Sequence, residues 1–363
     1  MIETSPDTSL HRGQLGVLPR PTRLADESYL EFLESFRDVL LTKMFPAMAE
    51  AGHARMTAAG LPLDDDALPL TAIQAEFAKA PIVPTWQRFM RSQQEMMWRR
   101  TRASFAATGE AHLAHLEAAA AAGPGKLVVD PAFAVPDYAR REIHLQPGGY
   151  TDDPLGGIVY HYGTKVFYQG GNDQDELHAE LASLCATPED GKVARILDMG
   201  CSIGQGTIQL KSRFPQAEIW GLDVGLPMVR YAHARAASQN VDVNFIQALA
   251  EAMPFDPGHF DVVFAYILFH ELPIDVIPKV LAEAHRVLRP GGKFVIFEFP
   301  SASQHLPPAF RFMIDYDSRD NCEPYSPGFV HADFRGMLAD AGFGVTDGPP
   351  SRNSFLQSIV ATR

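Results

Sequence analysis

Residues 193–226 read VARILDMGCSIGQGTIQLKSRFPQAEIWGLDVGL. The opening part, Val193 to Met199, alternates and then runs apolar, the pattern of a strand buried in a parallel sheet. A turn carrying Gly200, Gly204 and Gly206 follows, then a helical segment from about Thr207 to Phe214. A second apolar run, Ala217 to Leu222, is closed by Asp223. Strand, glycine turn, helix, strand, acid is the order of a nucleotide-type site at the carboxyl ends of two adjacent parallel strands. Small residues in the turn let a ligand reach backbone amides near a helix start. The closing acid can accept hydrogen bonds from both hydroxyls of a ribose. The glycines fall as G-x-x-x-G-x-G, which fits neither the G-x-G-x-x-G of a dinucleotide loop nor a G-K-[ST] phosphate loop. An NAD(P)-dependent oxidoreductase is therefore disfavoured.

With Asp198 just before the turn, LDMGCSIGQGT resembles motif I of the class I S-adenosylmethionine (SAM)-dependent methyltransferases. Asp223 matches that family's ribose-binding acid, and Ser202 stands where its middle glycine is usual. The stretch ALAEAMPF (248–255) is similar to the corresponding segment of the ubiquinone/menaquinone-biosynthesis type. An acid there holds the adenine amino group; Leu249 occupies the aligned place here, leaving the Ala250 backbone or Glu251 for that contact. FDVVFAYILFHELP (260–273) resembles the family's fourth strand and exit loop, and RVLRPGGKFVIFE (286–298) its late glycine turn and fifth strand. The four motifs occur in the family's order.

The resemblance covers about residues 173–363. It implies SAM as cofactor, held by Asp198, Gly200, Ser202, Gly204, Asp223, Val224, Ala250, Glu251 and Tyr266, with Tyr160 of the preceding segment as a further expected contact. Beyond Asp223, helices at 227–238, 275–288 and 331–341 alternate with strands at 241–247, 260–267 and 293–299. Two strands near 343–347 and 354–361 end the pattern. The fold class expected is α/β: a Rossmann-like, seven-stranded, mostly parallel sheet with helices on both faces and an antiparallel edge.

Upstream, residues 1–150 read as a mainly helical accessory domain, supplying a lid or a homodimer contact. Apolar positions recur at helical spacing from Tyr29 to Leu40, and again from Trp86 to Trp98. The second, Met/Trp-rich stripe suits core or a dimer face. Asp64, Asp65 and Asp66 read as a solvated loop, because three consecutive acids cannot face one ion; no metal is expected. Residues 151–172 read as a linker or lid in which Tyr160 faces SAM, and His161 and Tyr162 face the acceptor. Asp173 and Glu176 suggest a capping box for a helix over 174–186. Within the 173–363 catalytic domain, the insertion 300–329 is expected to set acceptor specificity. Phe310, Phe312, Met313 and Tyr316 would line its apolar pocket, with Arg311, Asp315, Asp317 and Arg319 to orient a polar group.

Methyl transfer from a sulfonium requires alignment of the acceptor and exclusion of water. An oxygen, nitrogen or acidic carbon must also lose its proton. His270, just past the fourth strand, is the expected base, its ordinary pKa being suited to that task. His161 is a second candidate, and His285, beside Arg286 on a helix, is expected to be structural. The function expected is transfer of a methyl group to a small, partly hydrophobic metabolite, at oxygen first, then carbon, sulfur or nitrogen. Ser202 and Leu249 sustain one alternative, a SAM-binding scaffold without activity.

Composition bounds these readings. The 363 residues carry a formal net charge of −13, which disfavours a nucleic-acid partner and suits a small-molecule acceptor. Three cysteines, Cys185, Cys201 and Cys322, with no C-x-x-C spacing, suit a reducing cytoplasm. MIETSPDTSL lacks the features of a signal peptide. The longest apolar run, Val262 to Phe269, is too short to span a bilayer.

Overall fold

The computed structural model describes residues 14–302, 305–353 and 355–363. A two-strand hairpin, β1 (Gln14–Leu15) and β2 (Leu18–Pro19), leads into the helical region. The main sheet holds β3 (Leu127–Val128), β4 (Arg195–Met199), β5 (Glu218–Asp223), β6 (Asn244–Gln247), β7 (Phe260–Tyr266), β8 (Leu288–Glu298), β9 (Gly344–Asp347) and β10 (Gln357–Thr362). Their spatial order is β3-β6-β5-β4-β7-β8-β10-β9. The pairs from β3 through β8 are parallel, whereas β10 runs antiparallel to both β8 and β9. The seven expected strands are all present. The eighth, β3, comes from the helical region and pairs with β6 through Leu127 and Val128.

Alternation along the central strands assigns their side chains to two apolar layers. Leu197, Met199, Val263 and Ala265 pack on one face with the helices Ile277–Val287 and Phe334–Asp340. Ile196, Val262 and Phe264 pack on the other, against the helices Glu176–Ser183, Gln205–Arg213 and Leu226–Ser238. The chain passes from β4 to β5 on one side and reaches β7 on the other. The end of β4 is thus the switch point at which open α/β sheets bind ligands.

The region before the sheet is helical: Leu24–Val39, Phe45–Ala58, Leu70–Phe77, Ile82–Ala106 and Gly109–Ala119. Trp86, Met90, Met97 and Trp98 are buried, while Phe89 and Met96 remain exposed. The Met/Trp stripe is therefore interior packing, and most of its area is unavailable to a dimer contact. Asp64, Asp65 and Asp66 lie in an exposed loop.

Two segments differ from expectation. Gly156–Phe167, expected as part of a linker, is a buried helix packed on Leu24–Val39, Ile82–Ala106 and Leu226–Ser238. Its glycines permit this closeness, since a Cβ on Gly157 would collide with Tyr231 and one on Gly163 with Trp98. The insertion after β8 contains the helix Pro308–Asp320, which docks on the N-terminal helices. Phe312 stacks on Phe77 at 5.0 Å between ring centroids, and Tyr316 lies 5.0 Å from Trp86. Nor does the expected capping box form. Asp175 precedes the helix in a left-handed conformation, Asn172 Oδ1 accepts from Leu177 N, and Glu176 accepts from Gln174 N.

Candidate active site

At the end of β4 the chain turns through three left-handed residues: Gly200 (φ 74°), Ser202 (φ 48°) and Gly204 (φ 74°). A Cβ at Gly200 would come within 2.9 Å of Leu268, and one at Gly204 within 2.7 Å of Phe245. Glycine is required at both positions by space as well as by φ. Asp223, at the end of β5, ties the turn together. Its Oδ2 accepts from Ser202 N at 2.9 Å and its Oδ1 from Gly225 N at 2.8 Å. Burial pushes its carboxyl up to about 6, against the lowering effect of those hydrogen bonds. Asp198 is buried and accepts from Thr207 Oγ1 at 2.6 Å; burial raises it to about 7.

Ser202 holds a conformation that costs an L-residue about 1–2 kcal/mol, partly balanced by the greater chain entropy a glycine would lose on folding. Ser202→Gly is accordingly expected to stabilise the protein by about 0.5–1 kcal/mol, read from chemical denaturation midpoints at constant slope.

These groups border one cavity of about 810 Å³ that runs from the turn to the helical region. Tyr150, Tyr160, Tyr168 and Tyr266 line its middle. Tyr150 and Tyr160 meet edge to face, and the hydroxyls of Tyr168 and Tyr266 lie 3.3 Å apart. At the exit of β7, Ile267 has φ 44°, a strained value for a β-branched residue, and it too borders the cavity. His270 follows on the short turn Phe269–Glu271 and is buried. Its Nδ1–H donates to Glu298 Oε1 at 2.8 Å, and Glu298 also accepts from Phe269 N and Phe299 N. Burial alone would lower the imidazole, but the Glu298 charge and hydrogen bond outweigh it and bring it to about 9.

A second histidine, His144, sits across the cavity with φ 57°. Its Nε2 lies 3.2 Å from Glu271 and its Nδ1 pairs with Glu323. Burial opposes protonation here too, yet the two carboxylates raise it to about 10. Ligand atoms of His144, Glu271 and Glu323 all lie within 4.8 Å of one another. The imidazolium bridges both acids, so the trio acts as a clamp between the helical region, the β7 exit and the insertion. Among the described residues this is where a metal-type grouping occurs.

A family model described as "Methyltransferase domain" matches residues 196–292. A demethylmenaquinone methyltransferase of Thermus thermophilus is 40% identical over 29% of this chain and 47% of its own length. An uncharacterized methyltransferase of Synechocystis is 30% identical over 46% of this chain and 74% of its own. The chain belongs to the class I SAM-dependent methyltransferases. It spans about half the length of most of the curated relatives it matches. Among solved structures, an O-methyltransferase family protein from Burkholderia thailandensis is similar at 16% identity, with a TM-score of 0.45, over 57% of this chain and 59% of that one.

In this methyltransferase the residues fit SAM, the family's cofactor. The turn is a cradle that a Cβ at Gly200 would crowd, and each Asp223 oxygen keeps a lone pair beyond the amide it accepts from. Tyr160, Asp198, Gly200, Ser202, Asp223, Val224 and Tyr266 all border the cavity. Gly204 lies behind the turn, against Phe245 and Ala232.

Other expected residues lie elsewhere. Glu251 turns its Oε1 to the Tyr138 hydroxyl at 2.6 Å, while Ala250 packs against the apolar layer, so Tyr138 is the group that reaches the cavity. His161 is corrected from an acceptor contact to an interior residue, its Nδ1 hydrogen-bonded with Tyr231 Oη at 2.9 Å. Tyr162 is likewise interior, edge-on to Phe105. On a helix buried on several sides, only one row of side chains can face the cavity, and Tyr160 and Thr164 occupy it. Phe312 and Tyr316 anchor the insertion helix instead of lining the pocket, whereas Phe310, Met313 and Asp317 face it. Arg311 donates to the Leu68 carbonyl, and Asp315 accepts from Gln74 and Arg319. His285 packs on Phe343, a structural position. Sequence reasoning missed Arg37, His144 and Glu323, which carry no motif of their own, and the role of Glu298, the last residue of RVLRPGGKFVIFE.

Proposed function

We propose that this methyltransferase moves the SAM methyl group onto a small, partly hydrophobic acceptor, with oxygen as the first choice of atom. The observation that carries this reading is the continuity of the cavity. It reaches from the Asp198–Asp223 turn to a wall formed by Leu41, Phe45, Trp86, Met90, Phe310 and Met313. Its volume lies in the range of small-molecule sites, and its apolar lining suits an acceptor with a hydrophobic body. The name of the Thermus relative keeps a quinone-type acceptor as the runner-up.

Bound SAM supplies a methyl group already activated by its positive sulfur. Asp223 would orient the ribose while Tyr160 and Tyr266 cover the reacting region. His270 would take the acceptor proton at Nε2, because Glu298 holds Nδ1–H and fixes the ring and its tautomer. Since His270 is raised to about 9, it is imidazolium at neutral pH. Its basic form grows as pH rises, so kcat/KM for a neutral hydroxyl acceptor is expected to climb from neutrality and level off near pH 9. A flat profile over that range would remove His270 as the base.

The acidic net charge of −13 suits a small metabolite over nucleic acid. Cys185, Cys201 and Cys322 are free thiols, consistent with work in the cytoplasm. Among the described residues, no helix is long and apolar enough to cross a membrane. The test is incubation with isotopically labelled SAM and a panel of hydroxylated, phenolic, quinol and amine metabolites, followed by mass spectrometry. Label in a hydrophobic hydroxyl compound supports the reading. SAM binding without label in any acceptor, including endogenous extracts, defeats it.

A further inference from the structure

Arg37 projects from the helix Leu24–Val39 into the wall of the same cavity, and only 5% of its surface is exposed. Its Nε donates to the Phe167 carbonyl at 3.2 Å. Nη1 is shared between Gln93 Oε1 at 3.3 Å and Gln94 Oε1 at 3.2 Å. The guanidinium carbon stands 4.1 Å from the centre of the Phe167 ring. These are neutral partners, and among the described residues Nη2 has none. A guanidinium in low dielectric without a carboxylate in contact is costly, and such a group is retained where a ligand supplies the missing charge.

The other cations of the chamber already have carboxylate partners. His144 is balanced by Glu271 and Glu323, and His270 by Glu298. Asp317 is the cavity carboxyl that Arg37 lies close enough to act on through space. Burial lifts Asp317 to about 7, so at neutral pH much of it is uncharged and it leaves Arg37 poorly compensated.

We propose that the acceptor carries an anionic handle, a carboxylate or a group of like geometry, which binds Arg37 Nη2 while its apolar body lies along Phe45, Trp86 and Met313. This deepens the proposed function and rests on it for the purpose of the pocket. Gln93 and Gln94 hold the fork in place, and Arg37 is cationic at neutral pH even though burial lowers it to about 10. Anion binding and Asp317 ionisation compete for the same guanidinium, so binding takes up a proton.

The test uses octanoate, octan-1-ol and octylamine as matched probes, with quenching of Trp86 and Trp98 fluorescence as the readout and SAM titration alongside. Octanoate is expected to bind the full chain at least about tenfold more tightly than either other probe. Arg37→Met should weaken octanoate roughly 10- to 100-fold and leave the alcohol and SAM unchanged. Asp317→Asn should strengthen octanoate and abolish its loss of affinity above about pH 7; it keeps the proposal testable should Arg37→Met not fold. Preference for octylamine, equal binding of the alcohol, or no octanoate binding at millimolar concentration overturns the inference. SAM binding in that event leaves the methyltransferase reading standing. Arg37-dependent octanoate binding without SAM binding would sink that reading and, with it, the assignment of the bound anion as a methyl acceptor.

Discussion

Replacing His270 by alanine is expected to slow methyl transfer to a hydroxyl acceptor by about 10²- to 10⁴-fold, with SAM affinity changed by less than about threefold. The imidazole borders the cavity through one edge, while its Nδ1–H is fixed 2.8 Å from Glu298. Removing the ring deletes the proton acceptor and leaves the Asp223 turn intact. Glu298→Gln is the more discriminating variant. It keeps one of the two oxygens that accept from the Phe269 and Phe299 amides and removes the charge that outweighs burial at His270. The plateau of the pH–rate profile should then fall from about 9 toward or below the ordinary histidine range. A loss of rate without that displacement would make Glu298 merely structural. Single-turnover rates with labelled SAM across this range measure both effects. Unchanged rates in His270→Ala would point to an acceptor that needs no base.

Asp223→Ala is expected to weaken SAM and S-adenosylhomocysteine by about 10²- to 10³-fold. Two amides, Ser202 N and Gly225 N, would lose their acceptor, and the ribose hydroxyls would lose theirs at the same time. Isothermal titration gives the affinity, and a thermal melt separates lost binding from lost folding. The same carboxyl adds a pH dependence. Because burial raises it to about 6, its ionised form is present above that value and lost as pH falls through it. Cofactor binding should therefore weaken below about pH 6 in the native protein and not in Asp223→Asn. Affinity unchanged in Asp223→Ala would remove the ribose assignment.

The two predictions rest on groups of unequal legibility. Asp223 was readable because local rules place it: an apolar run ends, the chain leaves the sheet, and its last side chain faces the ligand side. The same holds for Gly200 and Gly204, whose spacing reports a turn that side chains would block. His270 was readable as a position, but its chemistry was not. Its ordinary pKa suggested a neutral base, whereas Glu298, 28 residues away, makes it a cation at neutral pH.

The helical region shows the limit more plainly. Helical spacing located a Met/Trp stripe but could not say which neighbour would cover it. Phe312 and Tyr316 looked like pocket residues because both are aromatic and both lie in the insertion. In the structure they meet Phe77 and Trp86, whereas Met313, between them in sequence, faces the cavity. A helix turns about 100° per residue, so neighbours in the sequence face different surroundings, and only the docking angle decides which face serves the site. Tyr160, His161 and Tyr162 divide in the same way on the helix Gly156–Phe167.

By itself the sequence determined the strand–turn–helix order, the glycine turn, the parallel sheet and the family, since each depends on residues close together in the chain. Only the tertiary structure decided the far end of the cavity. There Arg37, His144, His270 and Asp317 come from elements separated by as much as most of the chain. Their charges and desolvation exist only once those elements pack, because burial and through-space electrostatics are properties of the assembled chamber and of no single segment.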